Sequence, residues 1–256
     1  MVGMIKNVGI VGATGRVGRS LVDVLNGSTK YVLGPSFGRR QCEGTFLADS
    51  ITEVFRDNDC VVDFSSPKLI QEVLKSAMVS PKPLLIGTTG WDRSLCEDLL
   101  EPLSKLIPIV IAPNTSIGAA VQLDLARYLV RFLGKGYDID ILEKHHRNKA
   151  DKPSGTAKQL QEGICQSMQY IGKNDGSHIQ MNAIRSGNLC GEHEVSFVSD
   201  DDSISIKHVA FNRGVFVKGV LKILDWLSKN RPEAGIYGMH DVLRLSSNFQ
   251  FNPWIQ

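Results

Sequence analysis

The chain has 256 residues, 42% of them hydrophobic, and a formal net charge of +2. That length buries a substantial core as one large domain or two modest ones. With no block of like charge and no apolar stretch of bilayer length, nucleic acid and a membrane are not expected as main partners. Five cysteines (Cys42, Cys60, Cys96, Cys165 and Cys190) are odd in number and none forms a Cys-x-x-Cys pair. Neither a disulfide framework nor a zinc ribbon is indicated, and no secretory pattern opens the chain, so a cytoplasmic protein with reduced thiols is expected.

Residues 5–11 form a β-rich apolar run, and residues 16–25 place Val17, Leu21, Val24 and Leu25 at helical spacing. Ser50 with Glu53 reads as a capping box opening a short helix. Residues 60–64 are a buried-strand run. Ser66-Pro67 starts another helix with proline at its tolerated first position. Residues 83–86 and 108–111 are two more short strands. Strand and helix in alternation predict a parallel sheet covered on both faces, a Rossmann-like domain over residues 1–114.

The pattern changes near Asn114. Residues 116–133 predict a long amphipathic helix stopped by Gly134. Residues 137–144 predict a half-buried strand, with Tyr137, Ile139 and Ile141 on one face and charged residues on the other. A helix is expected over 154–169, strands over 179–184, 194–198 and 203–211, and a helix over 215–228. This is read as a second, α+β domain with a mixed or antiparallel sheet, residues 115–229.

The first strand runs into Gly12-Ala13-Thr14-Gly15-Arg16-Val17-Gly18 and then a helix. That junction suits a dinucleotide: glycines allow the turn and the close approach of phosphate, which rests on amides at the helix start. After a second strand that ends near Leu33, residues 34–40 hold no acid for ribose hydroxyls but do hold Arg39 and Arg40. Guanidinium groups suit a 2′-phosphate, so NADPH is expected over NADH, with NADH still usable. Gly87-Thr88-Thr89-Gly90 and Ala112-Pro113-Asn114-Thr115-Ser116 follow later strands, at the strand ends where open α/β sheets bind ligands.

Residues 145–157 crowd His145, His146, Arg147, Lys149 and Lys152 before a helix start at Ser154-Gly155-Thr156. Lys149 with those amides and hydroxyls would suit one carboxylate or two. The histidines can donate protons near neutral pH, and neighbouring cations should lower their pKa. On the residues alone, a solvated loop, a metal site with Asp151 or His193, a plain helix cap at Ser154 and a Ser-His nucleophile stay open. No second ligand pair at recognisable spacing and no nucleophile elbow occurs, so no metal is assigned.

The run from His145 to Ala157 resembles the signature of the dihydrodipicolinate reductase family, H-H-R-x-K-x-D-x-P-S-G-T-A. The glycine loop, Asp63-Phe64-Ser65-Ser66-Pro67, Gly87-Thr88-Thr89-Gly90, Asn114-Thr115-Ser116, Ile184-Arg185-Ser186-Gly187, Gly191-Glu192-His193 and Gly238-Met239-His240-Asp241 agree in order. The resemblance implies a two-domain homotetramer. Residues 230–256 complete the cofactor domain, and residues 115–229 serve the substrate and assembly. It implies reduction of a 4-hydroxy-tetrahydrodipicolinate-derived imine with a nicotinamide cofactor. His145 would be the acid and Lys149 its carboxylate-holding assistant. His146, Ser154, Gly155, Thr156 and Thr89 would bind the substrate dicarboxylate. Gly12, Ala13, Thr14, Gly15, Arg16, Val17, Gly18, Arg39, Arg40, Phe64, Gly87, Thr88, Thr89, Pro113, Asn114 and Thr115 would bind the cofactor.

Overall fold

A computed structural model describes residues 5–39, 43–133, 136–172 and 179–244. Arg40, Cys42, Gly134 and the part of the expected 230–256 tail beyond Arg244, all named above, lie outside the described residues. The first half of the chain gives β1 (Asn7–Val11), α1 (Arg16–Asn26), β2 (Val32–Leu33), α2 (Ile51–Arg56), β3 (Cys60–Asp63), α3 (Ile70–Val79), β4 (Leu84–Ile86), α4 (Glu97–Ser104) and β5 (Pro108–Ile111). Then come α5 (Ile117–Leu133), β6 (Asp138–His145), α6 (Gly155–Tyr170), β7 (Gln180–Arg185), β8 (Gly191–Val198), β9 (Ser203–Ala210) and α7 (Gly214–Asn230). The series closes with β10 (Gly235–Tyr237) and α8 (Met239–Leu243).

The first sheet has the order β10-β5-β4-β3-β1-β2, and every pair in it is parallel. Residues of β3 and β4 are buried without alternation, as strands covered on both faces must be. On one face, Leu21, Val22 and Leu25 of α1 and Val220, Ile223, Leu224 and Leu227 of α7 pack on Val8 and Ile10. On the other, Val54 and Phe55 of α2, Val73 and Leu74 of α3 and Leu100 of α4 pack on Val61, Leu84 and Ile109. Each such side chain removed from water contributes about 1.5–3 kcal/mol. Although α7 lies within residues 115–229, its apolar stripe belongs to the first sheet. Packing therefore cuts across the domain boundary drawn from the strand pattern.

The second sheet has the order β7-β6-β8-β9, with β6 and β7 parallel and the other neighbours antiparallel. It is the mixed sheet. Ile139 and Ile141 of β6 and Val195 and Phe197 of β8 pack against Ala126 and Val130 of α5 and Leu160 and Ile164 of α6.

Two local details depart from the sequence reading. Ser50 does cap α2, its Oγ accepting the Glu53 N–H at 3.2 Å, but the Glu53 carboxylate takes the N–H of Asp49 at 2.9 Å rather than that of Ser50. Pro67 opens a 3-10 turn over Pro67–Leu69, and the α-helix starts only at Ile70. No helix among the described residues is long and apolar enough to cross a membrane.

Candidate active site

Strand periodicity builds the site. Side chains on β6 alternate, so Ile139, Ile141, Glu143 and His145 share the buried face. The antiparallel partner sets Phe197 opposite Ile139, Val195 opposite Ile141 and His193 opposite Glu143. The same face thus begins as hydrocarbon and ends as a buried acid and two histidines. The sequence reading had put the charged residues of this strand on the far face; Glu143 instead shares the parity of the isoleucines. Extending the alternation two positions past Ile141 would have found it.

Glu143 is fully buried. One of its oxygens faces Nδ1 of His145. The other accepts the Ser154 N–H at 3.1 Å and an Arg185 Nη2–H at 2.7 Å. Arg185 arrives because β7 pairs it with His145. Burial works against the charge on Glu143, yet Arg185 and His145 hold its carboxyl below the usual range. Burial also pushes His145 below the ordinary histidine value, aided by Lys149 and Arg185 and opposed by Glu143. His193 is pushed down to about 3, first by burial and then by His145 nearby. Its ring lies edge-on to that of His145, with centroids 5.1 Å apart.

Ser154 caps α6: its Oγ accepts the Ala157 N–H at 3.2 Å and lies 3.1 Å from Nε2 of His193. Its N–H and hydroxyl are therefore committed inside the protein. The amides of Gly155 and Thr156 are left as the helix's unsatisfied donors, and the space a side chain would fill at Gly155 is open. Thr156 Oγ1 accepts Asn114 Nδ2–H at 2.9 Å, which ties the end of β5 to the start of α6. Lys149 is not a free cation, because its Nζ lies 2.8 Å from Asp151 Oδ1.

These groups line a cleft of about 200 Å³ shared by both sheets. It brings together His145, His146, Lys149, Ser154, Gly155, Thr156 and Thr89 of the expected substrate residues, and Arg16, Val17, Pro113 and Asn114 of the expected cofactor residues. It adds Gly191, His208 and Arg213, which the sequence reading had not assigned to a ligand, and Asp151 and His193, which that reading weighed only as metal ligands. Glu143, His145 and His193 present ligand atoms within 4.8 Å of one another. The carboxylate is already occupied by Arg185, the Ser154 amide and His145, and a cation there would face the guanidinium. Glu143 and His145 are bonded to each other, and His193 joins them through Ser154.

The remaining expected cofactor residues among those described lie in the loops and turns at the carboxyl ends of the first sheet. Gly12 has a φ of +91°, and a Cβ there would lie 2.4 Å from the Phe64 carbonyl oxygen. Gly15 caps α1 without a side-chain acceptor, and the first turn carries no acid. The Gly15 N–H closes onto Gly12 O at 2.9 Å, while the first-turn amides of α1 have no acceptor within the helix and suit the diphosphate of a dinucleotide. Ala13 is buried beneath this loop. Thr14 Oγ1 accepts the Arg39 N–H at 3.2 Å, so the arginine stretch runs beside the glycine loop. Gly18 follows in the first turn of α1. The Phe64 N–H meets Val11 O and the Gly87 N–H meets Asp63 O, both at 2.8 Å, aligning these strand ends. Thr88 is buried, and its carbonyl accepts Trp91 Nε1–H at 3.0 Å. Thr115 is buried with its hydroxyl given to Phe216 O at 2.8 Å, so it shapes the join between the sheets.

Two family profiles divide the chain: one described as "Dihydrodipicolinate reductase, N-terminus" matches residues 6–115, and one described as "Dihydrodipicolinate reductase, C-terminus" matches residues 118–243. A 4-hydroxy-tetrahydrodipicolinate reductase of Chlamydia felis is 41% identical over 249 residues, 93% of this chain and 99% of that one. One of Campylobacter jejuni subsp. jejuni is 36% identical, covering 94% of this chain and 99% of its own. Among solved structures, a dipicolinate-bound dihydrodipicolinate reductase from Paenisporosarcina sp. TG-14 superposes with a TM-score of 0.75 at 19% identity. It covers 93% of this chain and 99% of that one, and it shares the fold.

Proposed function

The chain belongs to the dihydrodipicolinate reductase family, and from that premise we propose that it reduces 4-hydroxy-tetrahydrodipicolinate to tetrahydrodipicolinate, a step of lysine and diaminopimelate biosynthesis. The observation that carries the proposal is one cleft holding a buried histidine, a lysine and the bare amides of a helix start beside the glycine loop.

A bound reduced nicotinamide supplies the hydride. Gly12, Ala13, Thr14, Gly15, Arg16, Val17 and Gly18 would hold its diphosphate, and Phe64, Gly87, Thr88, Thr89, Pro113, Asn114 and Thr115 would border the rest. Arg39 and Arg40 take a 2′-phosphate, so NADPH is preferred and NADH is usable.

The substrate's carboxylates lie on the Gly155 and Thr156 amides, with Ser154 fixing the direction of those amides. Lys149 divides its charge between Asp151 and a carboxylate, and His146 adds a donor. His145 delivers a proton from Nε2, the ring nitrogen that Glu143 does not occupy. The hydroxyl departs with a hydrogen from the adjacent ring carbon as water, leaving the unsaturated imine, and one hydride and one proton add to that imine. Cations and aimed amides stabilise the charge that develops on the substrate. Closure of the two halves over the cleft excludes solvent. Residues 115–229 also carry the assembly surface of a cytoplasmic homotetramer; exposed Ile184, Val198 and Ile204 on the second sheet support this.

Oxidation of NADPH, and separately of NADH, is measured by absorbance with the substrate made in place by the preceding synthase. Oxidation that depends on the dicarboxylate is expected, falling about 10²- to 10⁴-fold in His145→Ala and in Lys149→Ala. Arg39→Ala should narrow the gap between the two cofactors. Binding of NADPH by folded protein without turnover would sink the reductase reading and favour a cofactor-sensing protein.

A further inference from the structure

We infer that Glu143 is a positioning residue for the reduction, fixing the proton donor and the anion-binding helix start as one unit. The inference rests on the reading of His145 as the donor. Glu143 has no exposure to solvent and no route to substrate except through its partners. Three donors converge on it from three elements: the His145 ring from its own strand, the Ser154 N–H from the start of α6, and Arg185 from β7. A carboxylate facing Nδ1 requires that nitrogen to carry its proton, because two lone pairs at that separation repel. Nδ1–H is thereby fixed in every protonation state, and Nε2 becomes the nitrogen that gains and loses the catalytic proton.

The location of Nε2 agrees. A Cβ built on Gly191, a residue of the cleft wall, would lie 3.0 Å from it. The same carboxylate that orients the ring holds the amide of Ser154, and Ser154 caps the helix whose next two residues line the cleft. Donor and anion cradle are therefore placed relative to each other through a single group. Arg185 balances the charge of Glu143, so the site does not present a net anion to a dicarboxylate.

The groups facing His145 are Glu143 on β6, Arg185 on β7, His193 on β8 and Lys149 in the intervening loop. Of these, Glu143 favours the protonated ring, while Arg185 and Lys149 disfavour it. Turnover needs His145 protonated, so rate falls as pH rises through its apparent pKa. Removing the negative charge brings that fall to lower pH.

The test uses the full-length enzyme in the coupled NADPH assay from pH 5 to 9. Glu143→Gln is expected to lose kcat/KM roughly 10²-fold at neutral pH, chiefly in kcat, with NADPH affinity measured by fluorescence unchanged. Its alkaline limb should lie about one pH unit or more lower. Glu143→Asp should recover part of the rate and most of the limb. A Glu143→Gln profile that superimposes on that of the unsubstituted enzyme overturns the inference. Should that variant not fold, long-range ¹H–¹⁵N spectra of the unsubstituted protein decide, with the His145 signals identified by their loss in His145→Ala. A protonated Nδ1 supports the inference, and a bare Nδ1 overturns it. If the unsubstituted enzyme oxidises no cofactor, the function reading fails, while the tautomer measurement still judges the role of Glu143.

Discussion

His193 occupies a position on β8 where Val195 and Phe197 would predict another apolar side chain. Its ring is buried and neutral, with Nε2 against Ser154 Oγ at 3.1 Å. Its pKa drops from an ordinary 6.5 to about 3 on folding, with burial the first cause. In the window between those values the unfolded chain binds a proton that the native state refuses, so stability rises with pH there and falls on acidification. The slope from one such proton reaches about 1.4 kcal/mol per pH unit. Urea midpoints taken at pH 5 and 7 should differ less in His193→Gln than in the unsubstituted protein; equal differences would remove His193 as the source. His145 and His208 are shifted in the same direction and leave part of the acid sensitivity behind. Single-residue chemistry was legible unevenly. The donors of residues 145–156 stood out because charge and hydroxyls cluster in sequence. The burial of Glu143 followed from the strand alternation, but its meeting with Arg185 did not, because that depends on register across β6 and β7, and the pairing of Lys149 with Asp151 depends on how the loop turns back.

At the scale of elements, the glycine loop shows what a pattern can and cannot carry. Strand, turn and helix were readable in order, because each obeys a local rule. The reason for glycine at position 12 is a neighbour 52 positions away: the Phe64 carbonyl stands where a Cβ would go, and the backbone is left-handed. Gly12→Ala therefore combines a steric clash with a positive φ, a cost of about 1–3 kcal/mol concentrated at the phosphate cradle. A loss of NADPH affinity of about tenfold or more is expected in a fluorescence titration; affinity equal to that of the unsubstituted protein would separate this loop from the cofactor. The elements missed were those with weak local signals. The eight-residue α4 carries Pro102 inside it. The three-residue β10 has no periodicity to detect, and only its parallel partner β5 makes it a strand.

The whole molecule is joined at α7. Gly219 in this helix lies so close to the Thr115 carbonyl that an added Cβ would sit 1.6 Å from the oxygen. The hydroxyl of the same threonine meets Phe216 O, one turn earlier. The helix thus docks backbone to backbone on the segment linking β5 to α5. Gly219→Ala must push these apart, at about 1–3 kcal/mol, and should lower Tm by roughly 2–4 °C for each kcal/mol. An unchanged Tm would mean the joint is looser than this packing implies. Such a joint was not legible in sequence, since the amphipathic stripe of α7 says that it packs but not on which sheet.

β10 sets a constraint on how the molecule is made. Chains emerge from the ribosome amino end first, and early units fold as they appear. Here the edge of β5 stays unpaired until residues 235–237 are synthesised, and α7, which covers one face of the same sheet, is nearly as late. The nascent amino-terminal half must wait through the synthesis of the entire second sheet with an open strand edge and an apolar face that α1 covers only in part, the two features by which unfinished chains find the wrong partner.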